Sequence, residues 1–233
     1  GRAWRTSGIA REDLFLVTKV WISNAGDERA AKSIDESLRK LETEYIDLLL
    51  IHQAFGDYYG TYRAMQKALE AGKVRAIGLS NFVDARFVDF VENMEVKPAV
   101  LQLETHVFSQ QKRMRELMAP YGTRLMAWAP LAEGRNGIFT HPTLTAIGAK
   151  YGKTAAQTAL RFLMAEDVIA IPKSVHRERL VENFSIDDFE LSAEDLDAIR
   201  ALDGGKPMFA DFNDPTLAKF LLEYDAKFNP ERQ

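Results

Sequence analysis

Short apolar runs alternate along this chain with longer stretches in which apolar residues recur every three to four positions. The runs at 14–18, 45–51, 75–79, 98–102, 124–128 and 168–171 are predicted strands. They are nearly continuous in apolar residues, as parallel strands covered on both faces must be. Between them, Ile34, Leu38 and Leu41 share one helical face, as do Met65 and Leu69. Phe87, Val91 and Met94 form a third such face, and Met114, Leu117 and Met118 a fourth. Gly72 is placed to end the second helix in a left-handed conformation. Gly152 and Lys153 split the helical region before the sixth strand, and two more helices are predicted around 193–202 and 215–224. Six βα units in succession predict an α/β fold with a parallel sheet. Periodicity alone does not choose between a closed barrel and an open, doubly wound sheet.

Composition narrows the field. A chain of 233 residues suits one domain, 1–233, with a sizeable core; no repeat beyond the βα unit and no low-complexity linker interrupts it. A net charge of −4 gives no reason to expect nucleic acid as a partner. With no cysteine, disulfides, thiolate metal sites and cysteine nucleophiles are excluded. No apolar run approaches the roughly 18 residues needed to span a bilayer, and no signal segment opens the chain, so a cytoplasmic protein without membrane contact is expected. Of the four histidines, His52, His106, His141 and His176, none pairs with a carboxylate at a zinc-binding helical spacing, and no metal is expected.

In parallel α/β proteins the working residues gather at the C-terminal ends of the strands. This chain places Lys19 and Trp21 after the first strand, His52 and Gln53 after the second, and Ser80 and Asn81 after the third. The fourth ends in Gln102, the fifth in Trp128 and the sixth in Lys173 and Ser174. Singly these are weak signals. A strand-end lysine often snorkels to solvent, a histidine is as often a satisfied core residue, and Ser-Asn is common turn chemistry. The sixth strand is more telling, because it runs into a basic turn and then a helix start carrying Arg179. Free N–H groups, the positive dipole end and added cations make such a start suited to phosphate. No GxGxxG follows an early strand, which counts against a Rossmann dinucleotide site.

Taken together, these residues resemble the aldo-keto reductase family closely. The matching runs are Val17, Thr18, Lys19; then Ile46, Asp47, Leu48, Leu49, Leu50, Ile51, His52, Gln53; then Gly78, Leu79, Ser80, Asn81, Phe82; and Ile171, Pro172, Lys173, Ser174. They stand in the family's order and spacing across essentially the whole chain. The stretches Ala127, Trp128, Ala129, Pro130 and Asp57, Tyr58, Tyr59, Gly60 look most like the prokaryotic branch that reduces small aldehydes and diketo acids. The resemblance implies a (β/α)8 barrel of TIM type that reduces aldehyde or ketone carbonyls to alcohols with NADP(H), working as a monomer on a small-molecule substrate. Lys19 would match the lysine that lowers the pKa of the proton-donating tyrosine, and His52 the histidine that orients the carbonyl. Ser80, Asn81 and Gln102 would hold the nicotinamide carboxamide, and Trp128 would stack on its ring. Lys173, Ser174, Val175 and Arg179 would grip the 2′-phosphate, with Glu182 and Asn183 at the adenine. Trp21, Phe209 and Phe212 are candidates for the substrate pocket, although simple packing accounts for each phenylalanine equally well.

The pattern breaks chiefly in strand number. The family barrel has eight strands and this sequence supplies six, corresponding to the third through eighth. The residues Gly1, Arg2, Ala3 and Trp4 resemble the middle of the family's second helix. The catalytic aspartate and tyrosine of the family therefore match no position here, and Tyr58 and Tyr59, in a loop after the wrong strand, do not replace them. Leu101 stands where an asparagine is usual and Val107 where a proline is. Six strands alone would leave two unpaired edges and an apolar lining in water, so residues preceding Gly1 are expected in the intact protein. Taken literally, the chain also admits a non-catalytic or regulatory NADPH-binding barrel that has lost its proton donor.

Overall fold

The computed structural model describes residues 1–228. It divides into two compact units, residues 1–101 with the C-terminal segment from Asp211, and residues 102–210. In the first unit a short helix, α1 (Arg2–Arg5), precedes β1 (Val17–Val20), α2 (Asp27–Leu41), β2 (Leu48–Ile51), α3 (Tyr58–Glu70), β3 (Ile77–Ser80) and α4 (Asp84–Asn93). The chain passes to the second unit within β4 (Val100–Glu104). There follow α5 (Lys112–Met118), β5 (Arg124–Trp128), α6 (Pro142–Tyr151), α7 (Ala155–Ala165), β6 (Ile169–Ala170), α8 (Arg177–Phe184) and α9 (Ala193–Arg200). The last helix, α10 (Pro215–Phe228), returns to the first unit.

All six predicted strands exist, and most start later than their apolar runs. In the first unit β1, β2 and β3 pair in parallel, Lys19 opposite Leu50 and Leu50 opposite Gly78. The ladder opens at Val17 because the backbone before it is already engaged. Leu16 N–H donates to the Asp47 carboxylate (2.9 Å), while Leu16 O accepts from the N–H groups of both Asp47 and Leu48. Lys19 accordingly lies inside β1 rather than beyond it, Ser80 closes β3, and Gln102 sits in the middle of β4. Every residue of β2 is buried, and Ile34 of α2, Met65 of α3 and Phe87 of α4 are covered as their spacing predicts. Gly78 is required by close packing, since a Cβ there would stand 2.4 Å from Val100 O.

Asp47 clasps the N-terminal ends of these strands. Its carboxylate takes Arg11 Nη2 at 2.7 Å and Arg75 Nη1 at 3.4 Å, and the two guanidinium groups flank the Tyr45 ring at 3.9 and 3.8 Å. Burial alone would raise the Asp47 pKa, but the Leu16 N–H and the two arginines more than reverse this and hold it below the ordinary carboxylate value. The folded state thus binds fewer protons here than the unfolded chain. The stabilisation is complete above the unfolded pKa, about 4, and fades as pH falls through the folded value. Asp47→Ala is expected to cost about 2–3 kcal/mol in urea unfolding at neutral pH, with the gap from wild type narrowing below pH 4 or so.

In the second unit β5 and β6 are parallel, with Met126 opposite Ile169. The split near Gly152 is as predicted: Gly152 takes φ of 66° after α6, and Thr154 opens α7 with a capping box to Gln157. Glu166 at the end of α7 ties α5 and α9 together through Arg115 (2.8 Å) and Arg200. Around β6 and α8 the surface is apolar. Ile169, Ile171, Leu180 and Phe184 are exposed, Phe184 at 84%, beside an open cavity of about 580 Å³. In the first unit Phe15 is likewise 70% exposed. No helix among the described residues is long and apolar enough to cross a membrane.

Candidate active site

Three strand ends of the first unit bring Lys19, Trp21, His52 and Asn81 together. Lys19 is half-buried, and burial lowers its pKa. His52 follows β2 directly, its N–H bonded to Val20 O at 3.0 Å. The Trp21 and His52 rings meet edge to face, centroids 4.9 Å apart at 73°. Asn81 adopts φ of 65°, which asparagine tolerates better than most residues. From there its Nδ2 donates to His52 O (3.2 Å) and to Gln53 Oε1 (3.1 Å), fixing the loop that carries the histidine. Ser80 beside it is buried.

Burial, and then the charge of Lys19, push the His52 pKa down to about 4. The imidazole is therefore neutral at physiological pH, able to donate or accept one hydrogen bond but not to serve as a cation. Because the folded state resists protonation that the unfolded chain accepts near pH 6.5, His52 makes stability fall as pH drops from that value toward 4. An NMR titration of the His52 ring is expected to show a midpoint near pH 4; a midpoint near 6.5 would contradict this environment.

The loop placement given to Tyr58 and Tyr59 needs correcting: both lie in the first turn of α3, which Asp57 caps by accepting the Gly60 N–H (2.8 Å). Hydrogen bonding by side-chain caps lets polar residues start helices in what reads as loop sequence. Burial and the Asp89 carboxylate that receives the Tyr59 hydroxyl raise the Tyr59 pKa, so this phenol is poorly suited to give up a proton. Phe212 is buried in the first unit at 8% exposure and its carbonyl receives Arg86 Nη1 (3.1 Å).

The second unit holds the remaining candidates. Gln102 is buried, with Nε2 against Met126 Sδ at 2.9 Å. Trp128 ends β5 half-buried, and the Phe209 ring lies 5.6 Å from it with the Arg135 guanidinium 4.5 Å from the Phe209 centroid. Lys173, Ser174 and Val175 form the turn into α8. Ser174 Oγ accepts the His176 N–H (3.1 Å), and no side chain caps the helix. Lys173 and Arg179 are solvent-facing and in no ion pair among the described residues. Uncapped N–H groups beside two uncommitted cations suit a phosphate. Glu182 behaves differently. Its carboxylate accepts the Thr154 hydroxyl (2.6 Å) and its carbonyl the Gln157 side chain (3.2 Å), so it already serves the start of α7. Asn183 lines the apolar cavity with Leu180 and Phe184.

Sequence reading missed the buried pair Glu104 and His106. Phe108 N–H donates to His106 Nδ1 (3.2 Å), which places the ring proton on Nε2, facing Glu104 Oε1 at 3.2 Å. The Glu104 carboxylate also accepts the N–H groups of Met208 and Phe209, and so holds Phe209 against Trp128. Two ionisable residues at period two, one closing an apolar strand and one just past it, were the available signal.

Comparison with known proteins bears on what these groups do. The model of the aldo/keto reductase family matches residues 1–204. Glyoxal reductase of Bacillus subtilis (strain 168) is 41% identical over 199 residues, 85% of this chain and 71% of that protein. The methylglyoxal reductase DkgA of Salmonella typhimurium is 34% identical over 214 residues, 91% of this chain and 77% of its own. The crystal structure of an aldo-keto reductase enzyme from a Medee basin deep-sea metagenome superposes with a TM-score of 0.89 at 38% identity, covering 92% of this chain and 80% of the other.

Proposed function

Because this chain belongs to the aldo/keto reductase family, and is an oxidoreductase whose six parallel strands are part of that family's (β/α)8 barrel, we propose that it reduces small aldehydes or dicarbonyls to alcohols at the expense of NADPH. The observation that carries this reading is the pairing of a half-buried Lys19 with a neutral His52 at adjacent strands, the His52 ring meeting that of Trp21 edge to face. Solved aldo-keto reductases similar to this chain include complexes with NADPH and with NADP. The donor set here fits such a cofactor: exposed cations at the uncapped start of α8 for a phosphate, and an indole at the end of β5 for an aromatic ring.

A reduced nicotinamide supplies the hydride when bound. The protein's part is positional and electrostatic. Neutral His52 donates a hydrogen bond to the carbonyl oxygen, which sharpens its polarity without competing for the proton. The Lys19 ammonium beside it stabilises negative charge as that oxygen is reduced. Ser80, Asn81 and Gln102 would meet the nicotinamide carboxamide, Trp128 its ring, and Lys173, Ser174, Val175 and Arg179 the 2′-phosphate. Glu182 and Asn183 would lie toward the adenine, and the Glu182 carboxylate also accepts the Thr154 hydroxyl. The proton that completes the alcohol would come from the family's tyrosine donor, which matches no position of this sequence, and no residue here is substituted for it.

The names of the relatives point to glyoxal and methylglyoxal as the substrates to try first. Reading the chain as a non-catalytic NADPH-binding barrel draws no support from relatives that carry reductase names. NADPH consumption with methylglyoxal by the intact gene product tests the proposal. Binding of NADPH without its consumption would favour the non-catalytic reading.

A further inference from the structure

We infer that Asp225, on the C-terminal helix, is a positioning residue that fixes the Trp21 indole beside His52 and thereby sets which carbonyls fit. The inference rests on the carbonyl-reduction reading of the same site. Trp21 Nε1 donates to Asp225 Oδ1 at 3.0 Å, across 204 positions of sequence. Asp225 is only 3% exposed, on a stripe of α10 shared with Leu217 and Leu221. A carboxylate in that place is costly to bury, and an apolar residue would pack there without the penalty. What the acid supplies is a charged acceptor for the indole N–H, which gives a stronger and more directional bond than a neutral one.

The helix that delivers Asp225 is held near its start as well. Asn213 Nδ2 donates to Asp84 Oδ2 (2.7 Å), and Arg86 donates to Phe212 O (3.1 Å), so the segment before α10 is bound to the start of α4. Further on, α10 packs against the turn at Ile22–Asn24 that follows Trp21. Trp21 is thereby gripped from its own loop and from α10, with its ring edge to face on His52. A rigid indole next to the group that would orient the carbonyl forms a wall. Small, flat carbonyls pass it and bulkier ones do not.

The test combines kinetics with a signal that needs no turnover. In Asp225→Ala, KM for methylglyoxal is expected to rise about tenfold, the loss of one charge-assisted hydrogen bond. NADPH affinity should stay unchanged, and preference for methylglyoxal over the bulkier phenylglyoxal should shrink. Asp225→Asn keeps an acceptor and should stay within about threefold of wild type. In a Trp21→Phe background, Asp225→Ala should shift the methylglyoxal preference little further, because its effect on that preference runs through the indole. The indole N–H of Trp21, assigned in NMR spectra by its loss in Trp21→Phe, should shift and exchange faster in Asp225→Ala and not in Asp225→Asn. Additive effects in the double variant, a matching fall in NADPH affinity, or an unmoved indole resonance would each overturn the inference. If the wild type reduces no carbonyl, the reductase reading fails, while the indole resonance still decides whether Asp225 positions Trp21.

Discussion

Lys19→Met in the intact gene product is expected to lower carbonyl turnover by about two to three orders of magnitude, with NADPH affinity nearly unchanged. Methionine fills the same space and leaves no buried charge, so the change removes a cation and little else. That cation has a specific position. It is half-buried in β1 opposite Leu50, and its charge helps push the His52 pKa down to about 4. Low-dielectric surroundings strengthen its effect on a neighbouring oxygen that gains negative charge. The same substitution carries an internal control. With Lys19 gone, the His52 pKa should rise while burial still holds it below the ordinary value, and an NMR titration reads this without any turnover. Single-turnover rates and cofactor titration separate chemistry from binding. If turnover and NADPH affinity fell together, Lys19 would be a structural or cofactor-binding residue instead.

The second large effect is expected at the other end of the cofactor. Arg179→Ala should weaken NADPH by about ten- to a hundredfold, the range of one charge-assisted hydrogen bond to phosphate, and leave NADH within about twofold. NADH lacks the 2′-phosphate, so it has nothing for this guanidinium to hold. Arg179 is exposed and in no ion pair among the described residues, so its removal exposes no orphaned partner and the fold should be unaffected. Lys173 on the same turn should retain part of the preference. Equal loss for both cofactors would remove the 2′-phosphate assignment.

The strands were legible because burial on both faces writes itself as unbroken apolar runs, and 124–128 was placed to the residue. The others slid because an apolar residue is not always a ladder residue. At Leu16 the backbone bonds to the Asp47 side chain first, and only the structure shows that. Lys19, His52, Asn81 and Trp128 stand out in the sequence because they fall at or near the ends of apolar runs, whereas the partners that contact them do not stand out. Asp225 lies 204 positions from Trp21, and nothing local in the sequence pairs the two. One trace did exist: an aspartate four residues after Leu221, on the inward stripe of an amphipathic helix, is a buried acid in need of a donor. At Glu182 the motif position suggests a ligand contact, and the structure adds a bond from the Thr154 hydroxyl at the start of α7 to its carboxylate, which no local pattern announces.

The most direct test of the central proposal is the rate at which the intact gene product consumes NADPH when mixed with methylglyoxal. The expected result is loss of one NADPH per aldehyde reduced, with NADH consumed far more slowly. Tight NADPH binding with no consumption, across glyoxal, methylglyoxal and simple aldehydes, would contradict it and leave a nicotinamide-binding barrel without reductase activity.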